Sequence, residues 1–299
     1  MLKVGSCGIF MFYSLTEEEG TPAAVIFLTA YALSAFVIAY WTNIMWLDAV
    51  IFLPLMVLGI RRLVDGRGWY LYTFILALGI ITNFYMGYML CIFSVIYFVC
   101  YFLLISGRRK NIKAILLYVM SSLLAGMLSM WVLLPTISAM RGGKADAGIE
   151  DLLQCAKQFV RQLSTHEIIV ANFCGVIPGG LPLIYTGIFV ILVIVWWFLG
   201  NEDWKQKVGY ILMIATICFS FKYRNLDYIW HGFRSPGGSP YRFSFLYTFL
   251  IAEMGWRGYK ELSDMGENYG GKIKWLFACA LLAVVVVIER KYFFEACFC

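Results

Sequence analysis

Three short polar patches break an otherwise apolar chain, and their residue types define the chemistry open to it. The richest is Ile229-Trp-His-Gly-Phe-Arg-Ser-Pro-Gly-Gly-Ser-Pro-Tyr-Arg-Phe-Ser-Phe245. It holds His231, Arg234, Tyr241 and Arg242 around a Pro-Gly-Gly-Ser-Pro turn. Two arginines held by a proline turn suit a phosphate, because the guanidinium fork makes charge-assisted hydrogen bonds. A histidine beside them can carry a proton near neutral pH. The second patch is Trp41-Thr-Asn-Ile-Met-Trp-Leu-Asp48 and the third is Asn83-Phe-Tyr-Met-Gly-Tyr88. Asp48 can bind a divalent cation, orient a hydroxyl or take its proton. Asn43 and Asn83 can act as polar ligands through their amides. Trp46, Tyr85, Tyr88, Trp230 and Tyr241 offer faces on which a sugar or a prenyl chain can rest.

Each of these residues also has a purely structural reading. An Asp near a helix start is favoured by the helix dipole and by unpaired N–H groups. Asparagines form turns. Arginines at a membrane edge reach toward headgroups, aromatics form an interface belt, and a histidine before glycine can simply close a turn. The sequence leaves both sets of readings open.

The elements that must position these patches are membrane helices. Of 299 residues, 62% are hydrophobic and 14% charged, whereas soluble domains carry roughly a quarter charged residues. The apolar residues run in blocks near the length of a bilayer span. A net charge of +6 reflects loop lysines and arginines, and nucleic acid is not an expected partner. The nine cysteines lack a metal-ligand spacing, and most act as small hydrophobes inside apolar runs; only Cys155 and Cys174 share a loop in which they could pair. His166 and His231 are too far apart in sequence to suggest a histidine-rich metal site.

The expected architecture is all-α: a polytopic transmembrane bundle of about nine or ten hydrophobic helices over residues 1–290, with a short tail at 291–299. The apolar runs are Val4–Leu15, Ala23–Tyr40, Ala49–Ile60, Trp69–Thr82, Met89–Ile105, Ala114–Leu134, Leu183–Leu199, Val208–Phe221, Phe243–Gly255 and Trp275–Ile288. A long hydrophilic loop at 136–182 includes helical character from Ile149 to Leu163. Alternate loops divide into two sets. One carries Arg61, Arg62, Arg67, Arg108, Arg109, Lys110, Lys113, Lys205, Lys207, Arg257, Lys260, Lys272 and Lys274, and the excess of cations places it in the cytoplasm. The other carries Asn43, Asp48, Asn83, the long loop and the His231–Arg242 stretch, and so faces outward. At 1.5 Å per residue Trp69–Thr82 covers only about 21 Å of a core about 30 Å thick. The Asn83 turn is therefore expected below the membrane surface, beside a wet hollow, where non-helical backbone is tolerated.

No G-x-x-x-x-G-K-[ST], G-x-G-x-x-G or H-E-x-x-H motif occurs, and no N-x-[ST] sequon. The chain starts without the basic-then-apolar order of a signal peptide, and both ends read as cuts within a longer protein.

Several segments resemble the bacterial YfhO family of membrane proteins. These are Tyr31-Ala-Leu-Ser-Ala-Phe-Val, Asn43-Ile-Met-Trp-Leu-Asp48, Leu53-Pro-Leu-Met-Val-Leu-Gly-Ile-Arg, Thr82-Asn-Phe-Tyr-Met-Gly-Tyr-Met, and His231-Gly-Phe with Pro240-Tyr-Arg-Phe-Ser-Phe245. The resemblance implies a GT-C-like glycosyltransferase of the bacterial cell membrane. Such an enzyme takes a sugar from a polyprenyl-phosphate carrier on the outer face and gives it to a cell-wall polymer such as lipoteichoic acid. It also implies an earlier span and an acidic outer loop upstream of residue 1. The expected roles are then Asp48 and His231 as catalytic groups, and Asn43, Trp46, Asn83, Tyr85, Tyr88, Arg234, Tyr241 and Arg242 as substrate-binding groups, with a divalent cation as a candidate cofactor. A carrier-lipid transporter and a non-catalytic membrane subunit are the competing functions.

Overall fold

Apolar blocks in this chain have little choice but to form helices, because an unsatisfied backbone group in hydrocarbon costs several kcal/mol. The structure, a computed structural model, describes residues 1–17, 22–106, 111–142, 162–173, 181–200, 203–232, 240–264, 279–280 and 283–287. Among them every regular element is helical. In chain order these are α1 (Leu2–Thr16), α2 (Ala24–Ala32), α3 (Ala35–Ala39), α4 (Ile44–Val64), α5 (Tyr70–Thr82), α6 (Phe84–Cys100), α7 (Ile112–Leu128), α8 (Met130–Gly142), α9 (Thr165–Ala171), α10 (Ile188–Leu199), α11 (Trp204–Lys222), α12 (Arg224–Trp230) and α13 (Ser244–Asp264). A π-helical turn, Tyr101–Ile105, extends α6. The fold is an all-α membrane helical bundle. Two helices, Ile44–Val64 and Phe84–Ile105, are long and apolar enough to cross a membrane; a bent pair, Ile112–Leu128 with Met130–Ala139, makes a third when counted as one span. Shorter apolar helices at Leu2–Thr16, Ala24–Ala39, Tyr70–Thr82 and Ile188–Leu199 fill in around them.

The core is one continuous apolar cluster, with Phe27, Tyr31, Tyr72, Tyr97, Trp197, Tyr210 and Phe249 among its large side chains. α4 lies at its centre, packed on α1 and α5 and touching α6 and α13. Two ion pairs fix the register of α1 on α4: Lys3 Nζ to Asp48 Oδ1 at 2.5 Å, and Arg62 Nε to Glu17 Oε1 at 2.5 Å. Both pairs join residues 45 apart. A constant offset means that the two helices run parallel.

The α4–α5 hairpin is closed more tightly than side chains allow. A Cβ built on Gly59 would lie 2.5 Å from Tyr72 N and 2.7 Å from Tyr72 Cα. Backbone cannot give way as a flexible side chain can, so Gly59→Ala must push α5 off α4. We expect a loss of about 3 kcal/mol, the upper end for overpacking, read as a lowered unfolding midpoint in detergent. An unchanged midpoint would mean that the helices separate freely.

The structure corrects several expected boundaries. Ala23–Tyr40 is not one span. It breaks at Leu33 and Ser34, where Ser34 is extended (φ −63°, ψ 157°). The N–H freed there, that of Ala35, donates to Tyr185 O at 2.9 Å. The 181–187 segment, which lacks helical structure, thus docks on the break, and the Leu183–Leu199 run becomes helical only from Ile188. The 136–182 loop gives its first residues to α8, which runs to Gly142. α13 continues past Gly255 to Asp264. Cys155, Cys174, most of Ile149–Leu163 and half of the last run, Trp275–Ile288, lie outside the described residues.

Candidate functional site

α4 and α6 each supply a side chain to a cluster at either end, and α13 supplies one to the second cluster while Arg242, just before its start, joins the first. The first cluster gathers at their N-terminal ends. Asn83, the single residue between α5 and α6, is extended (φ −155°, ψ 102°), and its Oδ1 accepts from the N–H groups of Tyr85 and Met86, both at 3.1 Å. This is an N-cap, satisfying two of the four donors that a helix start leaves open. Its Nδ2 donates to Met45 O at 3.3 Å, which ties the start of α6 to the first turn of α4. Trp46 and Tyr85 are thereby brought to one place.

Arg242, two residues before α13, enters the same place. Its guanidinium carbon lies over the Trp46 ring at 4.8 Å and over the Tyr85 ring at 5.1 Å. Tyr40 backs Trp46 edge-on, ring centroids 4.7 Å apart. His231 stands behind Tyr85 at 5.8 Å between centroids. It closes α12, a helix of about two turns ended by Gly232 in the left-handed region (φ +63°), as helix C-termini favour. Its Nδ1 is 2.8 Å from Asp227 O and 3.2 Å from Asp227 Oδ1. Asp227 and His231 are each 1% exposed, and His231 Nε2 and both Asp227 carboxylate oxygens have no hydrogen-bond partner. Tyr88 Oη donates to Ile229 O at 3.0 Å, fastening α12 to α6. A buried acid–imidazole pair, an arginine on two aromatic faces and a capped helix start thus share one end of the bundle.

Of the residues expected to form a site, Trp46, Asn83, Tyr85, Tyr88, His231 and Arg242 come together. Asn83 serves as a cap and Tyr88 as a tether, so both hold the site in shape. Asp48 turns the other way, to Lys3 on α1. Asn43 precedes α4 without capping it and is exposed. Tyr241 is buried, edge-on to Phe221 at 5.7 Å. Burial pushes its phenol above the usual range, and the Asp227 charge adds to this. Its backbone carries φ +60°, a strained conformation for a bulky residue, and this aims the chain at Arg242. Arg234 lies outside the described residues. The donor set does not suit a divalent cation at Asp48, whose carboxylate holds an ammonium, and no group of three His, Cys, Asp or Glu side chains assembles among the described residues.

Asp227 escaped the sequence reading, although its place four residues before His231 puts both on one helix face. So did the second cluster, at the C-terminal ends of α4 and α6 and far along α13. Glu253 is 1% exposed. Its Oε1 accepts from Arg61, Tyr210 and, at 3.2 Å, Tyr97. Arg61 Nε donates to Tyr97 Oη at 2.9 Å. Arg257 reaches Tyr210 Oη at 2.8 Å and Gln206 Oε1 at 3.1 Å. On each shared helix the two clusters are 11 to 15 residues apart (Trp46 to Arg61, Tyr85 to Tyr97, Arg242 to Glu253), or roughly 16–22 Å of rise.

Comparison with known proteins places this geometry in a family. No curated protein matches the chain, and no solved structure does. The family model described as bacterial membrane protein YfhO matches residues 1–296, a stretch that takes in both clusters and every helix that builds them. The chain therefore belongs to the YfhO family of bacterial membrane proteins.

Proposed function

We propose that the Trp46–Tyr85–Arg242 end of the bundle handles a polyprenyl-phosphate-linked sugar, and that the protein transfers this sugar to a cell-wall polymer at the outer membrane face, in the manner of a GT-C-type glycosyltransferase. The observation that carries the reading is the position of Arg242, held over two aromatic rings beside a buried Asp227–His231 pair. In transfer, the bond from the anomeric carbon to the phosphate oxygen breaks and the acceptor hydroxyl oxygen bonds to that carbon. The leaving group is an anion, the polyprenyl phosphate, and a guanidinium fork stabilises the charge that develops on it. Trp46 and Tyr85 offer faces to the sugar. The acceptor loses a proton, and His231, whose Nδ1 is held by Asp227, takes it as general base.

The test is transfer from a polyprenyl-phosphate sugar by the purified full-length protein, comparing wild type with Arg242→Ala; unchanged transfer removes Arg242 from the site. In the same assay Asp227→Asn keeps the shape of the side chain and loses the charge that holds an imidazolium. We expect transfer to fall roughly ten-fold or more, within the range of a lost acid–base contribution, at an unfolding midpoint close to wild type. Equal transfer would limit Asp227 to a packing role.

A carrier-lipid transporter is the second reading. Two breaks favour it, at Ser34 and between α7 and α8, where the axes bend by 68°, since transporters build their sites at interrupted helices. Translocation of the carrier lipid in liposomes without any acceptor separates the two.

A further inference from the structure

The second cluster opens into a pocket of its own. Ser14, Leu15, Glu17, Arg61, Arg67, Glu253, Trp256, Arg257 and Lys260 line a mostly polar cleft of about 60 Å³. Four of these side chains are cationic and two are carboxylates, so the lining sums to +2 (four minus two). The flanking residues Arg62, paired with Glu17, and Asp65, paired with Arg67, add one charge of each sign and leave the sum unchanged. Arg61 and Arg257 lie deep beside Glu253, and Arg67 sits at the exposed rim with Glu17 and Asp65; the net positive charge of the cleft attracts an anion. A second observation points the same way. Arg61, Tyr97 and Tyr210 all converge on Oε1 of Glu253, while Oε2 is buried without a hydrogen-bond partner. An unpartnered carboxylate oxygen at 1% exposure wants a hydroxyl donor. Arginine and lysine want a phosphate. One class of ligand supplies both.

We propose that this pocket binds a phosphate group that carries or adjoins a hydroxyl, with Arg67 and Lys260 drawing in the phosphate and Glu253 accepting from the hydroxyl. Hydrogenphosphate fits this description, and so does the glycerophosphate headgroup of an anionic lipid. Because α4 and α13 run from this pocket toward the Arg242 end, its occupant bears on the packing of the helix that carries Trp46 and of the one that follows Arg242.

The experiment measures the unfolding midpoint of the full-length protein in phosphatidylcholine nanodiscs, with and without inorganic phosphate, and in nanodiscs containing phosphatidylglycerol. The double variant R67Q/K260Q withdraws two charges from the rim and spares the Arg61–Glu253–Arg257 core; Lys260→Gln alone serves if the double variant is poorly folded. The expected result is a rise of several degrees in wild type in at least one arm, with apparent affinity reduced ten-fold or more in the variant. A rise with free phosphate assigns a soluble ligand, and a rise with phosphatidylglycerol alone assigns the lipid. No rise in either arm, or an equal rise in the variant, overturns the proposal. The readout is independent of sugar transfer, so its failure is distinct from failure of the transferase reading.

Discussion

Glu253→Met is expected to destabilise the protein by about 3 kcal/mol, the lower end of the range for removing one partner of a buried ion pair. The side chain is 1% exposed, and it is the acceptor on which Arg61, Tyr97 and Tyr210 converge. Methionine of similar volume leaves these donors facing a thioether, so the cost is desolvation of unpaired groups rather than a cavity. Arg61 and Arg257 are 15% and 24% exposed, and they can relax some way toward water; this holds the loss near the lower limit. The cycle with Arg61→Met supplies the sharper test. If the two groups act as a pair, the double variant Arg61→Met/Glu253→Met loses less than the sum of the single losses, by about 1 kcal/mol or more. Strict additivity would show that Glu253 contributes through packing alone.

Glu253 also shows what was and was not legible beforehand. The run Phe243–Gly255 reads as apolar, and one acidic residue inside it is a signal for a paired, functional group. The partners could not be named from sequence. Arg61 and Tyr97 are 192 and 156 residues away, and nothing local to Glu253 points to them. The same limit hid the break at Ser34: the Tyr185 carbonyl that satisfies it comes from a distant segment, and Ser34 itself makes no cap bond. What could be read was whatever rests on local pattern. Apolar block lengths gave the all-α membrane bundle, and the division of loops into basic and polar sets matches the two ends at which the clusters lie. Asn83 before Phe-Tyr-Met was legible as a turn former, and it is one. Asp48 was legible as a helix-start acid or as a cation-binding or catalytic carboxylate, and its pairing with Lys3 came only from the parallel register of α1 on α4. Tyr241 gave no sign of its positive φ, because strain at a bulky residue is imposed by surrounding structure rather than by local preference.

Arg242→Ala is expected to lower transfer by about 10²–10³-fold, the loss seen when one preorganised donor to a developing anion is removed. The prediction depends on separating chemistry from folding. The contacts with Trp46 and Tyr85 are cation–π interactions worth about 0.5–1 kcal/mol each at partly exposed sites, so their loss moves the unfolding midpoint only slightly. A thousand-fold fall in rate corresponds to about 4 kcal/mol, more than both contacts together supply. Arg242→Lys divides the effect further. It keeps the charge but not the planar fork, and so should recover part of the rate while remaining well below wild type. Full recovery by lysine would reduce the role of Arg242 to a point charge, and the bidentate phosphate contact would be lost from the mechanism. Trp46→Leu, which removes one of the two rings against the guanidinium, should act partly through Arg242: its effect should shrink in the Arg242→Ala background, where only its contact with the sugar is left to lose.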